Sequence, residues 1–171
     1  MKKPWNIPDL PVYSIATQRD GQVNMNICTY VSAVSMTPKR YAVAIYYNTQ
    51  TLENVLQNGE FVLQLLSEQQ APAVRNFGQK SGKSFDKHGF LQRKNTPKTG
   101  AKIMEETYEL HPWNSFQVLK HAVALIHLKV IQHHSAGDHE LFLCDVVGYK
   151  VQNTQNPLTI NKLRELKLVR M

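Results

Sequence analysis

The chain has 171 residues, a formal charge of +7 and a sequence pI near 9.4. That length suits one domain burying about 70% of its unfolded surface, so a core can form without disulfide or metal staples. Two cysteines make no disulfide framework, no apolar run reaches the ~20 residues of a bilayer span, and the scattered basic residues lack the interleaved aromatics of a nucleic-acid face.

Cys28 and Cys144 lie far apart in apolar stretches and read as reduced, buried thiols. Met1 to Asn6 carries no apolar segment of a secretory signal. The expectation is a single cytoplasmic domain over residues 1–171.

The spacing predicts a strand over Val12 to Thr17, a turn at Asp20-Gly21, and a second strand over Val23 to Ser35 that Thr37-Pro38 ends. Tyr41 to Tyr47 and Phe61 to Leu66 are β-prone runs. Between them Leu52, Val55 and Leu56 recur at helical spacing over Thr51 to Gln57. Thr49 or Thr51 can cap that helix, and Asn58-Gly59 can end it. Ser67-Glu68-Gln69-Gln70 fits a capping box for a second helix running to about Phe77. A helical turn is expected from Ser84 to His88, stopping at Gly89, followed by a surface loop over Gln92 to Ala101 and an interruption at His111-Pro112-Trp113.

Two long strand-like runs close the pattern, Ala122 to Gln132 and Glu140 to Val147. Gly137-Asp138-His139 lies between them as a hairpin signal. The hairpin puts one imidazole at a strand start. There it is either an exposed turn histidine or a ligand contact. An antiparallel β-barrel with a few short helices is the architecture these elements favour.

Two other motifs fail on spacing. Gly78-Gln79-Lys80-Ser81-Gly82-Lys83-Ser84 has three residues between its glycines where a P-loop needs four, and it follows a helix instead of a strand. His133 and His134 would point to opposite faces of a strand, so no metal site is expected.

The run Asn24-Met25-Asn26-Ile27-Cys28-Thr29-Tyr30-Val31-Ser32-Ala33-Val34-Ser35-Met36-Thr37-Pro38 resembles the signature stretch of the flavin reductase-like proteins, which are FMN-binding split barrels. The apolar strand Tyr41 to Tyr47, the hydroxyl-rich turn Asn48-Thr49-Gln50-Thr51, the strand start Gly59-Glu60-Phe61 and the Gly-Asp-His hairpin follow in the family's order. The resemblance implies a dimeric, mainly β split barrel. It implies an oxidoreductase that passes a hydride from NADH or NADPH to flavin and electrons onward to free flavin, a metal complex or a partner protein. A non-enzymatic FMN-binding electron carrier or flavin-binding module is the alternative.

By the same resemblance, Thr29, Tyr30, Val31, Ser32 and Tyr46 would meet the flavin ring. Asn48, Thr49, Gln50 and Thr51 would meet its phosphate at a helix N-terminus. Lys80, Ser81 and Lys83 are candidates for a phosphate or pyrophosphate, and His139 would pack on the nicotinamide. Read from the residues alone, the helix-start hydroxyls could equally be ordinary caps, and Thr29 to Ser32 an ordinary edge strand. The chain departs from many relatives at Gln50, where they carry Arg or Lys, and at Cys144, where they carry Gly.

Overall fold

The computed structural model describes residues 3–96 and 105–169. Nine strands occupy Tyr13–Arg19 (β1), Gln22–Cys28 (β2), Val31–Ser35 (β3), Arg40–Tyr46 (β4), Glu60–Leu65 (β5), Leu110–Trp113 (β6), Phe116–Leu119 (β7), Ala124–Ala136 (β8) and His139–Val151 (β9). Four short helices occupy Gln50–Asn58 (α1), Ala73–Phe77 (α2), Lys87–Asn95 (α3) and Ile160–Glu165 (α4). Seven strands form one antiparallel sheet in the order β2-β1-β5-β8-β9-β4-β3, and β6 pairs with β7 separately.

The period of two along the strands sends alternate side chains to two buried faces. In β5, Phe61 and Leu63 join a cluster with Ile15, Ile45, Leu52, Leu128 and Phe142. Val62, between them, joins a second cluster with Val12, Met25, Phe77, Leu91 and Leu125. The first cluster is covered by α1, whose Leu52 and Val55 point inward. The second is covered by α2, α3 and the C-terminal segment, through Phe77, Leu91, Leu158 and Leu163. With both faces covered, central strands need few polar positions, which is why β5 reads as a nearly continuous apolar run.

The expected strand over Val23 to Ser35 is two strands, β2 and β3, broken at Thr29-Tyr30. They lie at opposite ends of the sheet order, yet their ends are joined by only Thr29 and Tyr30, a reach of about 10 Å at most. The sheet must therefore curl until its two edges meet at that corner. Tyr30 extends the β3–β4 ladder back to that corner, its carbonyl accepting from the Ala44 N–H at 2.9 Å.

Other expectations change for local reasons. The second helix is a 3-10 turn, Glu68–Gln70, followed by α2, because Pro72 offers no N–H to continue the ladder. The helix expected to stop at Gly89 instead starts at Lys87 and runs through it. Asp86 caps α3 by accepting from the Gly89 N–H at 2.8 Å, and a Cβ at Gly89 would sit 2.1 Å from Asp86 Oδ2. Gln92 to Asn95 belong to that helix, and residues 97–101 of the expected loop lie outside the described residues. His111-Pro112-Trp113 is part of β6, where an edge position tolerates a residue without an N–H.

Candidate functional site

The turn from β4 into α1 builds one wall of a cavity of about 470 Å³. Asn48 takes a positive φ of 60°, a region Asn tolerates better than most residues, and so turns the chain from strand to helix. Thr49 then caps α1, its hydroxyl oxygen accepting from the Leu52 N–H at 3.2 Å while the hydroxyl donates to the Tyr46 carbonyl at 2.9 Å. The first N–H groups of a helix have no intrahelical acceptor. With that of Leu52 satisfied by Thr49, those of Gln50 and Thr51 remain at a cavity both residues line.

The mouth of the cavity is aromatic. Gly137-Asp138 makes a two-residue hairpin loop, with Ala136 opposite His139 and a positive φ of 67° at Gly137. His139 is thereby set beside Tyr46, its partner across β4 and β9. Its ring centroid lies 5.2 Å from that of Tyr46 and 5.1 Å from that of Tyr30. Asp138 Oδ1 lies 2.5 Å from His139 Nδ1, which leaves Nε2 as the ring nitrogen without a protein partner among the described residues. Beside it, Tyr47 donates its hydroxyl to Glu140 Oε2 at 2.7 Å, and His133 Nδ1 approaches Glu140 Oε1 at 2.5 Å. The His133 contact, followed by the Tyr47 hydroxyl, holds the Glu140 carboxyl below its ordinary pKa.

The opposite end is polar, buried and assembled from distant segments. Asn24 donates to Thr51 Oγ1 at 2.9 Å, Gln50 to Asn54 Oδ1 at 2.9 Å, and Asn54 to Thr17 Oγ1 at 2.9 Å. Gly82 lies against this network so closely that a Cβ there would be 2.5 Å from Asn24 Oδ1 and 3.0 Å from Gln50 Cβ. Under it lies Lys87, only 5% exposed, whose ammonium donates to the carbonyls of Met25 at 2.7 Å and Phe77 at 2.9 Å. Burial alone pushes its pKa down to about 8. Gln50, Gly82 and Lys87 also line a second, polar cavity of about 700 Å³, so the two spaces adjoin at these residues.

Ten of the residues singled out in the sequence line the first cavity: Thr29, Tyr30, Tyr46, Asn48, Thr49, Gln50, Thr51, Lys80, Ser81 and His139. Val31, Ser32 and Lys83 do not. The strand break at Thr29-Tyr30 turns Val31 into the interior cluster and leaves Ser32 exposed, its hydroxyl donating to the Ala33 carbonyl. Lys83 reaches the second cavity and pairs with Glu53 at 2.6 Å. Cys144 is fully buried in the interior cluster, away from both cavities. Asn26, Ile27, Phe77 and Lys87 line the first cavity without having been singled out. Their burial arises where β2, α2 and α3 pack together, which no local pattern announces. Among the described residues no three His, Cys, Asp or Glu side chains gather as a metal-holding group, and no helix is long and apolar enough to cross a membrane.

Comparison with known proteins identifies the family. A family model for the flavin reductase-like domain matches residues 9–166, and the chain belongs to that family. It is 26% identical over 149 residues to the ferric-chelate reductase (NAD(P)H) of Archaeoglobus fulgidus, covering 86% of this chain and 79% of the relative. Among solved structures, the flavin reductase PheA2 in its native state superposes with a TM-score of 0.69 at 25% identity, over 89% of this chain and 85% of the other. An FMN-binding protein from Thermus thermophilus superposes with a TM-score of 0.72 at 19% identity, over 89% and 76%.

Proposed function

We propose that this member of the flavin reductase-like family holds FMN in the first cavity and catalyses its reduction by NADH or NADPH. One observation carries the reading: a single cavity joins a face of aromatic rings and imidazole to an end rich in free backbone N–H groups and amines. FMN has matching ends, a flat ring and a phosphate dianion. The donor set fits the group, with the α1 N-terminus available to an anion and Ile27 and Ala44 among the apolar residues that line the cavity.

The chemistry FMN supplies when bound is acceptance of a hydride from the nicotinamide and onward passage of electrons to free flavin, a metal complex or a partner protein. The chain's own residues bind and align. Tyr30 and Tyr46 flank His139 and hold its ring at the mouth, where it would pack on an entering nicotinamide. The hydrogen bond from Tyr47 to Glu140 steadies the strand behind it. Hydride transfer needs close, aligned rings and no protein acid or base, so proximity is the expected contribution of these residues.

The curled seven-stranded sheet is proposed to be the family's split barrel, and a second copy to cover its exposed outer face. Met36, Tyr149 and Val151 line one cavity and stand 80%, 78% and 69% exposed there, an apolar patch that a partner surface would cover. Sedimentation of a monomer at micromolar concentration would remove the dimer.

The test of function is a spectrum. Protein mixed with FMN and desalted should retain absorbance near ~450 nm that bleaches under anaerobic NADH or NADPH. Retained but unbleached bands would leave an FMN carrier. Absence of binding even at saturating FMN would remove the flavin reading.

A further inference from the structure

Tyr46 and Asn48 each serve one end of the cavity, the first beside the His139 ring and the second turning the chain into α1. Tyr47 stands between them and makes its polar contacts on the β8–β9 hairpin. Its N–H donates to the Asp138 carbonyl at 3.1 Å, and its hydroxyl lies 2.7 Å from Glu140 Oε2 and 3.0 Å from Ser135 Oγ. One residue of the β4–α1 turn thus meets β8, the hairpin turn and β9 at once.

The Tyr47 hydroxyl has one proton to give. A carboxylate can only accept, so the proton goes to Glu140, and Ser135 donates in return. Glu140 is itself braced. His133 Nδ1 holds its other oxygen at 2.5 Å, and the His133 ring lies 5.5 Å from that of the fully buried Phe142. Only 14% of the Glu140 side chain is exposed. A hydrogen bond to a carboxylate is about twice as strong as one between neutral groups. The alternation along β9 explains how one turn serves two sides. His139 stands opposite Tyr46 at the cavity mouth, while Glu140 stands opposite Ile45 on the interior side, where the Tyr47 ring also packs.

We propose that Tyr47, held by the Glu140 carboxylate, is the positioning residue that sets the two ends of the cavity relative to each other. The inference rests on the flavin reading and extends it from the groups at each end to the one that joins them. A shift of Tyr47 moves the Tyr46 ring at the mouth. Through the Asn48 turn it also moves the free N–H groups of Gln50 and Thr51 at the start of α1. Flavin and nicotinamide then lose affinity together, which the loss of a contact at one end does not produce.

The experiment compares the full chain with Tyr47→Phe, Glu140→Ala, Glu140→Gln and the double variant Tyr47→Phe/Glu140→Ala. FMN dissociation constants come from fluorescence quenching, nicotinamide KM and kcat from turnover at saturating FMN, and amide hydrogen exchange from the flavin-free proteins. Tyr47→Phe keeps the ring that packs on the interior, so its effect reads the hydroxyl alone. Tyr47→Phe and Glu140→Ala should each weaken FMN about fivefold and raise KM for the preferred nicotinamide nucleotide about fivefold. The double variant should be no worse than Glu140→Ala, because both changes break the same bond. Glu140→Gln, whose amide oxygen still accepts from Tyr47, should recover most of both losses. In flavin-free protein, Glu140→Ala should speed exchange at the Leu52 amide, which the Thr49 cap protects on a different element.

A lowered urea midpoint with FMN affinity and KM within about twofold of the natural protein would reduce the cluster to a structural role and overturn the proposal. Additive losses in the double variant, or a loss confined to one ligand, would overturn it too. Failure of the natural protein to bind FMN would overturn the flavin reading instead, and Leu52 exchange unchanged by Glu140→Ala would then remove the coupling on its own evidence.

Discussion

The two ends of the cavity are built in opposite ways. The His139 end is local: one hairpin turn, a neighbouring strand and the corner at Tyr30 place three rings at a mouth where Tyr30 and Tyr46 remain 58% and 54% exposed. The Lys87 end draws on β1, β2, α1, the Gly82 loop and α3, and its polar groups are satisfied by one another out of water. A local, solvated construction tolerates change because water replaces what is lost. A buried polar network does not, since each deleted partner strands another group in low dielectric.

Two glycine substitutions sharpen this contrast most. Gly82→Ala would force a methyl to within 2.5 Å of Asn24 Oδ1. Overpacking of that kind should cost about 1–3 kcal/mol in urea unfolding and weaken FMN binding as well. Gly137→Ala meets nothing within 4 Å and pays only for its positive φ of 67°, about 1 kcal/mol. If the two variants cost the same, the Lys87 end is looser than its geometry indicates.

The next effect follows from Lys87 itself. Its amine titrates near 8 in the fold against 10.5 when unfolded. Between those values the unfolded chain binds more protons, so stability should rise with pH through that window, and below about 8 the native state carries the whole penalty. The gain from pH 7.5 to 9.5 should be on the order of 1–2 kcal/mol, read as a shift of the urea midpoint that Lys87→Met abolishes. A similar loss, about 1–2 kcal/mol, is expected for Thr51→Val, which removes the nearer of two acceptors of the buried Asn24 amide while keeping the side-chain shape.

The same contrast explains what the sequence discloses. Gly137-Asp138-His139 is legible because a two-residue turn is written in adjacent residues, and the Thr49 cap with Gly59 bounds α1 in the same way. The single strand expected over Val23 to Ser35 is wrong because nothing local marks the place where a strand changes sheet edges; sheet closure decides it. Lys87 reads as one more surface cation, since its burial comes from Met25 and Phe77, each supplied by a different element. Lys83 reads as a phosphate ligand because its Glu53 partner lies in α1, far along the chain.

The smallest stability effect, and the one that separates the two ends by function, is expected at His139. Its partners are two half-exposed tyrosines and the exposed Asp138, interactions worth at most about 1 kcal/mol together in such a setting. His139→Ala should therefore move the urea midpoint little and leave the FMN dissociation constant within about twofold, because the phosphate end is untouched. Packing on the nicotinamide would be lost, so the KM for NADH or NADPH should rise about tenfold, equivalent to ~1.4 kcal/mol. Lys87→Met should do the reverse, weakening FMN while leaving the nicotinamide KM at saturating FMN unchanged. Parallel losses in both variants would mean that the cavity acts as one unit and that its ends do not divide the work.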